Sequence, residues 1–223
     1  MNLLKSLDYF DPCKVRDRIH IIGCGSVGST LADVLARFGL SNFVLYDFDV
    51  VEDKNIANQM FDLRDVGLPK VDALERRLKY INDEIKVHKV AEGWESGANL
   101  SGYIFLCVDS IAVRKAIVSE CRYNPNIKGI FDIRTGLVEA DGFCYDPRGK
   151  QSKDWLASSM NFTDEDAKAS NPTSACGITL GVATTVRCIV DLVAANFIQF
   201  LKTGKLPRTM ITINMDSMDV VGL

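Results

Sequence analysis

The segment from Arg18 to Asp47 constrains this chain more than any other. It begins R-I-H-I-I-G-C-G-S-V-G and closes, after a helix, with F-V-L-Y-D. Ile19, Ile21 and Ile22 form a short apolar run stopped by Gly23, the pattern of a buried parallel strand. Gly23, Gly25 and Gly28 then open a helix. Glycines let the backbone turn tightly and let a phosphate approach its N–H groups, and the helix N-terminus adds partial positive charge. Val27, Leu31, Leu35 and Phe38 recur at helical spacing, and Gly39 ends the helix. A second strand, Phe43 to Tyr46, places Asp47 at its carboxyl end, about 20 residues past the loop, where a carboxylate accepts hydrogen bonds from ribose hydroxyls. A turn that merely needs glycine is the structural alternative. The ordered set of strand, glycines, helix, strand and acid points instead to an adenine-nucleotide site.

The rest of the chain is compatible with one α/β domain over residues 1–223. Its 223 residues, 47% hydrophobic and 25% charged, supply a full core. A net charge of −3 argues against a nucleic-acid partner, which needs a dense basic face. The N-terminal apolar run is too short for a signal peptide. No uninterrupted apolar stretch reaches about 18 residues, so no membrane span is expected. The seven cysteines are scattered with no C-x-x-C pair. That usage predicts reduced thiols, a cytoplasmic setting and no structural zinc.

After Asp47 a polar loop runs to Phe61. Its amides Asn55, Asn58 and Gln59 are suited to phosphates or sugar, and equally to capping turns. A helix is expected from Lys70 to Ile81, with Val71, Leu74, Leu78 and Ile81 buried and Pro69 at its start. Lys70 then stands in the first turn, the unfavourable end of the helix dipole for a cation unless an anion is nearby. A strand follows over Ile85 to Val90, then a loop with Trp94. The apolar run Tyr103 to Asp109 reads as a strand with a carboxylate at its C-terminal edge, where ligands of doubly wound sheets sit. Asp109 is placed there for a divalent cation or a substrate group, or to cap the helix Ser110 to Tyr123. Arg114 on that helix is either near the site or solvated. Strands follow over Lys128 to Arg134 and, turning back antiparallel, Leu137 to Tyr145. Residues 146–172 are polar and aperiodic, a loop long enough to cross the site. Cys176 follows, ahead of a long apolar helix from about Leu180 to Lys202, closed by Gly204, and a last strand from Thr209 to Met215. Cys176 and Cys24 both lie near helix N-termini, where a thiol pKa falls. The alternative for each is a small, buried, unreactive residue.

The strings G-C-G-S-V-G, D-F-D-V-V-E-D-K-N-I-A-N-Q, G-L-P-K and C-V-D-S-I-A-V-R, in that order, resemble the ThiF/MoeB/HesA adenylyltransferases, relatives of ubiquitin-activating enzymes. The resemblance covers Ile19 to Met215. It implies a Rossmann-like doubly wound α/β fold, with a mostly parallel sheet and antiparallel C-terminal strands. It also implies ATP cradled by Gly23, Gly25 and Gly28, with Asp47 on the ribose. Asn55, Gln59 and Lys70 would surround the phosphates, Asp109 would serve Mg²⁺, and Cys176 would be the acyl acceptor on a crossover loop at 146–176. Expected partners are a ubiquitin-like protein or peptide with a free C-terminus and a second copy in a homodimer. Three features depart from the family pattern. Asn58 stands where the family has arginine, and Arg64 is the candidate to replace that cation. The zinc-binding C-x-x-C pairs are absent. The N-terminal arm offers only Arg16 and Arg18 in place of the arginine that dimeric members give their partner.

The sequence thus reads as an ATP-dependent adenylyltransferase with Lys70, Asp109 and Cys176 as its catalytic residues. A nicotinamide-dependent dehydrogenase would share the glycine loop and Asp47 but would not use Lys70 and Asp109 as a phosphate and metal pair. A non-catalytic nucleotide-binding adaptor is the reading suggested by Asn58.

Overall fold

The computed structural model describes residues 1–152, 154–170, 172–173 and 180–223. The expected strands β1 (Ile19–Ile22), β2 (Asn42–Tyr46), β3 (Lys86–Val90), β4 (Gly102–Leu106), β5 (Ile127–Thr135), β6 (Glu139–Tyr145) and β7 (Met210–Asn214) all form. They join one sheet in the order β3-β2-β1-β4-β5-β6-β7, extended at its edge by β8 (Asp219–Gly222). Pairing is parallel from β3 through β5 and antiparallel from β5 onward. The doubly wound, mostly parallel sheet with antiparallel C-terminal strands is therefore observed. β8 was not expected: its four residues are all exposed, so they carry no in-out alternation to read.

Helices α1 (Ser26–Arg37), α2 (Lys70–Ile81) and α6 (Ala183–Thr203) cover one face. Ile19 and Ile21 of β1, Phe131 and Ile133 of β5, and Val193 and Phe197 of α6 form its core. Ile22 of β1, Leu106 of β4 and Ile130 of β5 point to the other face, with Ile117 and Val118 of α3 (Ile111–Cys121). By length and composition α6 would suffice to cross a membrane, with a mean hydropathy of 1.4. Here it lies against α1 and β5–β7, closed by Gly204 in the left-handed region as expected. It packs so near β6 that a Cβ on Gly142 would lie 2.4 Å from Val193 Cγ2.

Two further expectations are corrected. β4 stops at Leu106, not Asp109. Its parallel partner β1 ends at Ile22, whose carbonyl accepts from Cys107 N at 2.8 Å, and beyond it Gly23 turns away. Residues 146–172 are not all loop: α4 (Trp155–Ser158) and α5 (Asp164–Ser170) lie within them. Leu156 and Met160 are buried under α3. Thr163 and Asp166 exchange capping bonds, a T-x-x-D signal that marks a helix start in the sequence.

Candidate active site

The three glycines after β1 do three different things. Gly23 has φ +95°, and a Cβ on it would lie 2.7 Å from the carbonyl of Cys107, so the loop is pressed against the turn after β4. A Cβ on Gly28 would lie 1.9 Å from the Gly23 carbonyl, so only glycine lets α1 start this close to β1. A Cβ on Gly25 would meet nothing within 4 Å. Gly25 is the N-cap of α1, whose first turn has no side-chain cap and no acid. Unfilled space in front of uncapped N–H groups at the positive end of a helix is a cradle that fits a phosphate.

Asp47 follows β2 and clamps this loop from the side. Its Oδ2 accepts from Cys24 N at 2.6 Å and its Oδ1 from Asp49 N at 2.9 Å. Burial pushes its carboxyl pKa up. Each oxygen keeps a second lone pair for a sugar hydroxyl. Lys70 is the first residue of α2, and the anion its position demands is Asp49. The ammonium donates to Asp49 Oδ2 at 2.6 Å, with the lysine side chain only 8% exposed. The backbone N–H of Lys70 also donates to the Asp49 carbonyl at 2.9 Å. Sequence reasoning did not single out Asp49. The D-x-D spacing with Asp47 was its only signal.

Asn55 plays the capping role in part: its Oδ1 accepts from Glu52 N at 2.8 Å and closes a capping box. Among the described residues Gln59 Oε1 is buried without a hydrogen-bond partner. An orphaned buried amide costs about 1–3 kcal/mol, which a hydroxyl or amine of a bound molecule would recover. Asp109 is exposed in the turn before α3 and does not cap it. Ser110 does, its Oγ accepting from Val113 N at 3.3 Å. Asp164 of α5 adds a carboxylate there, accepting from Ser110 Oγ at 3.0 Å and from Ile111 N. Among the described residues Asp109 makes no hydrogen bond or ion pair, so its oxygens stay available.

Asp109 opens onto a cleft of about 830 Å³ that Ser26 and Val27 of α1, Asn58, and residues of β5 and β6 also line. Cys107, touching Gly23, joins this cleft to the glycine loop. The glycines, Asp47 and Lys70 thus form one cluster on the β2 side, with Asp109 and Asn58 facing the cleft beside it. Arg114 and Arg134 line the cleft as well. Arg114 is buried, not solvated, and is paired with Asp132. Arg134, also paired with Asp132, and Asp132 itself were not singled out in the sequence.

Two expectations fail here. Arg64 does not reach the cleft: it forks onto Asp62 with its side chain 83% exposed, lining a separate cavity. Cys24 is fully buried and its pKa is raised well above the usual thiol value by burial, so it is no source of thiolate at this helix start. Cys176 lies outside the described residues. No group of three metal-ligating side chains occurs among the described residues. A lone hard carboxylate such as Asp109 suits Mg²⁺, which takes one or two carboxylates together with substrate phosphates and water.

Residues 15–221 match the family model described as the ThiF family. The chain belongs to this family. Ubiquitin-like modifier-activating enzyme 5 of Drosophila ananassae is 32% identical over 139 residues, 54% of this chain and 34% of that protein. The Culex quinquefasciatus protein of the same name is 30% identical over 120 residues, 46% of this chain and 30% of its own. The chain therefore spans about a third of the length of these relatives. Among solved structures, Escherichia coli MccB with MccA superposes with a TM-score of 0.76 at 20% identity, covering 95% of this chain and 65% of that one. MccB with ATP gives 0.75 at 18% identity, covering 95% and 65%. PaaA gives 0.73 at 18% identity, covering 93% and 64%. These likenesses show that the ThiF fold extends over nearly all of the chain.

Proposed function

We propose that this protein is an ATP-dependent adenylyltransferase that activates the C-terminal carboxylate of a ubiquitin-like protein or peptide. The observation that carries the reading is the open cradle at Gly25 beside the carboxylate of Asp109, unpaired among the described residues, joined by one cleft. Family membership supports it, as do relatives named for ubiquitin-like modifier activation and a structural neighbour solved with ATP and with a peptide.

In this reading the N–H groups at the start of α1 bind phosphate, and Asp47 orients the ribose. Asn55 Nδ2 and Gln59 Nε2 donate along the phosphate chain, and Gln59 Oε1 accepts from a hydroxyl or amine of the bound molecule. Lys70 turns its ammonium from Asp49 toward the phosphates, where preorganised positive charge stabilises the transition state most. Asp109 would hold Mg²⁺, which would neutralise charge building on the phosphate oxygens. A carboxylate oxygen of the acyl substrate attacks the α-phosphorus, the bond to the β-phosphate bridging oxygen breaks, and pyrophosphate leaves with that electron pair. The product is an acyl-adenylate. The tail reaches the site along β5 and β6, and we assign 146–176 as the crossover loop of a single domain spanning 1–223. A homodimer in the cytoplasm completes the proposal.

ATP–pyrophosphate exchange tests the reading. Acyl-dependent exchange is expected. Magnesium-ATP binding without exchange would instead establish a nucleotide-binding adaptor. The further step, attack of the Cys176 thiolate on the acyl carbon with AMP leaving, makes a separate prediction. Cys176→Ala should leave exchange intact and abolish every thiol-labile adduct. Loss of exchange along with the adduct would remove the covalent role.

A further inference from the structure

Beneath α3 a single carboxylate holds two guanidinium groups that reach opposite walls of the cleft. Asp132 is fully buried on β5, in register with Leu106, on the face that α3 covers. Its Oδ1 accepts from Arg114 Nη1, and its Oδ2 accepts from Arg134 Nε at 2.8 Å. From this shared anchor the arginines diverge. Arg114 donates to the carbonyl of Val108, the residue before Asp109, and to those of Ile133 at 3.2 Å and Leu106 at 3.3 Å. Arg134 donates to the carbonyl and the hydroxyl of Ser159, both at 2.8 Å, in the turn after α4. Its guanidinium also lies 4.3 Å from the ring centre of Phe143 and 5.7 Å from that of Phe162. Asp109 on one side and Ser159 and Phe162 on the other line the same cleft.

We infer that Asp132, Arg114 and Arg134 are positioning residues that set the two walls of the cleft from one buried anchor, Arg114 fixing the Asp109 turn and Arg134 fixing the 154–163 wall. Buried ion groups are often no more stable than an apolar cluster of the same volume. What the ions add is directed bonding to backbone carbonyls of two turns that have no strand partners of their own. The fork of arginine is essential to that task, because each guanidinium must hold the carboxylate and a carbonyl at once, which lysine does poorly. The consequence for catalysis rests on the adenylation reading: Arg114 governs the metal and phosphate side, Arg134 the acyl side.

Amide hydrogen exchange on the full chain tests the positions without any substrate. Arg134→Met leaves the Asp132–Arg114 pair charge-balanced. It should speed exchange at 154–163 by about tenfold or more and leave 107–112 unchanged, as expected for lost charged hydrogen bonds in a locally opening segment. Arg114→Lys should do the reverse. Ser159→Ala, which leaves the buried group intact, should loosen 154–163 alone by a smaller factor, and it answers for Arg134→Met if that variant fails to fold. Equal acceleration of both segments, or of the whole sheet, in the single arginine variants would overturn the inference. So would wild-type protection at 154–163 in Arg134→Met or, where that variant does not fold, in Ser159→Ala. With magnesium-ATP as the probe, Arg114→Lys should weaken binding about tenfold and Ser159→Ala should not change it. A wild-type protein that ignores magnesium-ATP would defeat the adenylation reading while the exchange pattern still decides the positioning roles.

Discussion

At the scale of single residues, the polar groups divide by when they act. In the proposed reaction Asp47 would contact the sugar in the ground state, so Asp47→Ala should raise the KM for ATP and change kcat little. Asp109→Ala and Lys70→Ala should lower kcat for exchange by roughly a hundredfold, because charge on the phosphates peaks in the transition state. Steady-state exchange kinetics over ATP concentration separate the two outcomes. Exchange that survives Asp109→Ala would place the metal elsewhere. His20 gives a prediction about stability. It is 1% exposed, its Nδ1 lies 3.1 Å from Tyr46 Oη, and burial lowers its pKa from 6.5 to about 4. The unfolded chain therefore binds a proton between those values that the folded protein refuses. Stability is fully present above pH 6.5 and falls by about 1.4 kcal/mol per unit as the pH drops toward 4. Denaturant titrations at pH 7 and pH 5 should show His20→Gln spared about 2 kcal/mol of the loss that wild type suffers. Equal losses in the two proteins would assign the acid sensitivity to other groups.

At the scale of elements, close approach is what makes the site, and glycine is what permits it. The start of α1 meets β1 through Gly28, and α6 meets β6 through Gly142. Gly142→Ala should cost about 1–3 kcal/mol by overpacking against Val193. Combining it with Val193→Ala should cost less than the sum of the two single changes, which a double-mutant cycle in urea measures. Additive losses would mean that the strand, not the helix contact, needs the glycine. The helices that sequence periodicity reveals are those with a long apolar stripe, α1, α2 and α6. α4 and α5 escaped because one turn and two turns are too short for a stripe. They are held by polar latches as well as packing: Asp164 on the start of α3, Lys115 Nζ on the Phe162 carbonyl at 2.9 Å, and Arg122 on Asp154 at 2.5 Å. Such contacts join residues far apart in sequence and leave no local pattern.

At the scale of the whole molecule, nucleotide binding should appear as stabilisation. Magnesium-ATP at 100 times its Kd should add about 2.7 kcal/mol and raise Tm, while NAD⁺ at the same concentration should do little. A larger rise with NAD⁺ would favour a dehydrogenase. The order of elements, the parallel-to-antiparallel sheet and the glycine turn after β1 were legible in the chain, and Asp47, Lys70 and Asp109 are the site candidates it offers. Each rests on local spacing: apolar periodicity, the glycine pattern, and an acid or lysine at an element end. Other features needed the folded chain. Cys24 and Arg114 are inert or structural because burial, which no local pattern records, sets their chemistry. Arg64 misses the cleft because the 3-10 turn at Leu63–Asp65 gives it Asp62 as a partner. Asp49 and Asp132 matter only because residues 21 positions away in one case and 18 in the other come to them in space. Sequence by itself determined the family, the order of elements and the place of the glycine loop after β1, because local spacing records them. Tertiary structure alone decided which charges meet, since pairing depends on distance and burial across the sheet, and a linear string holds neither.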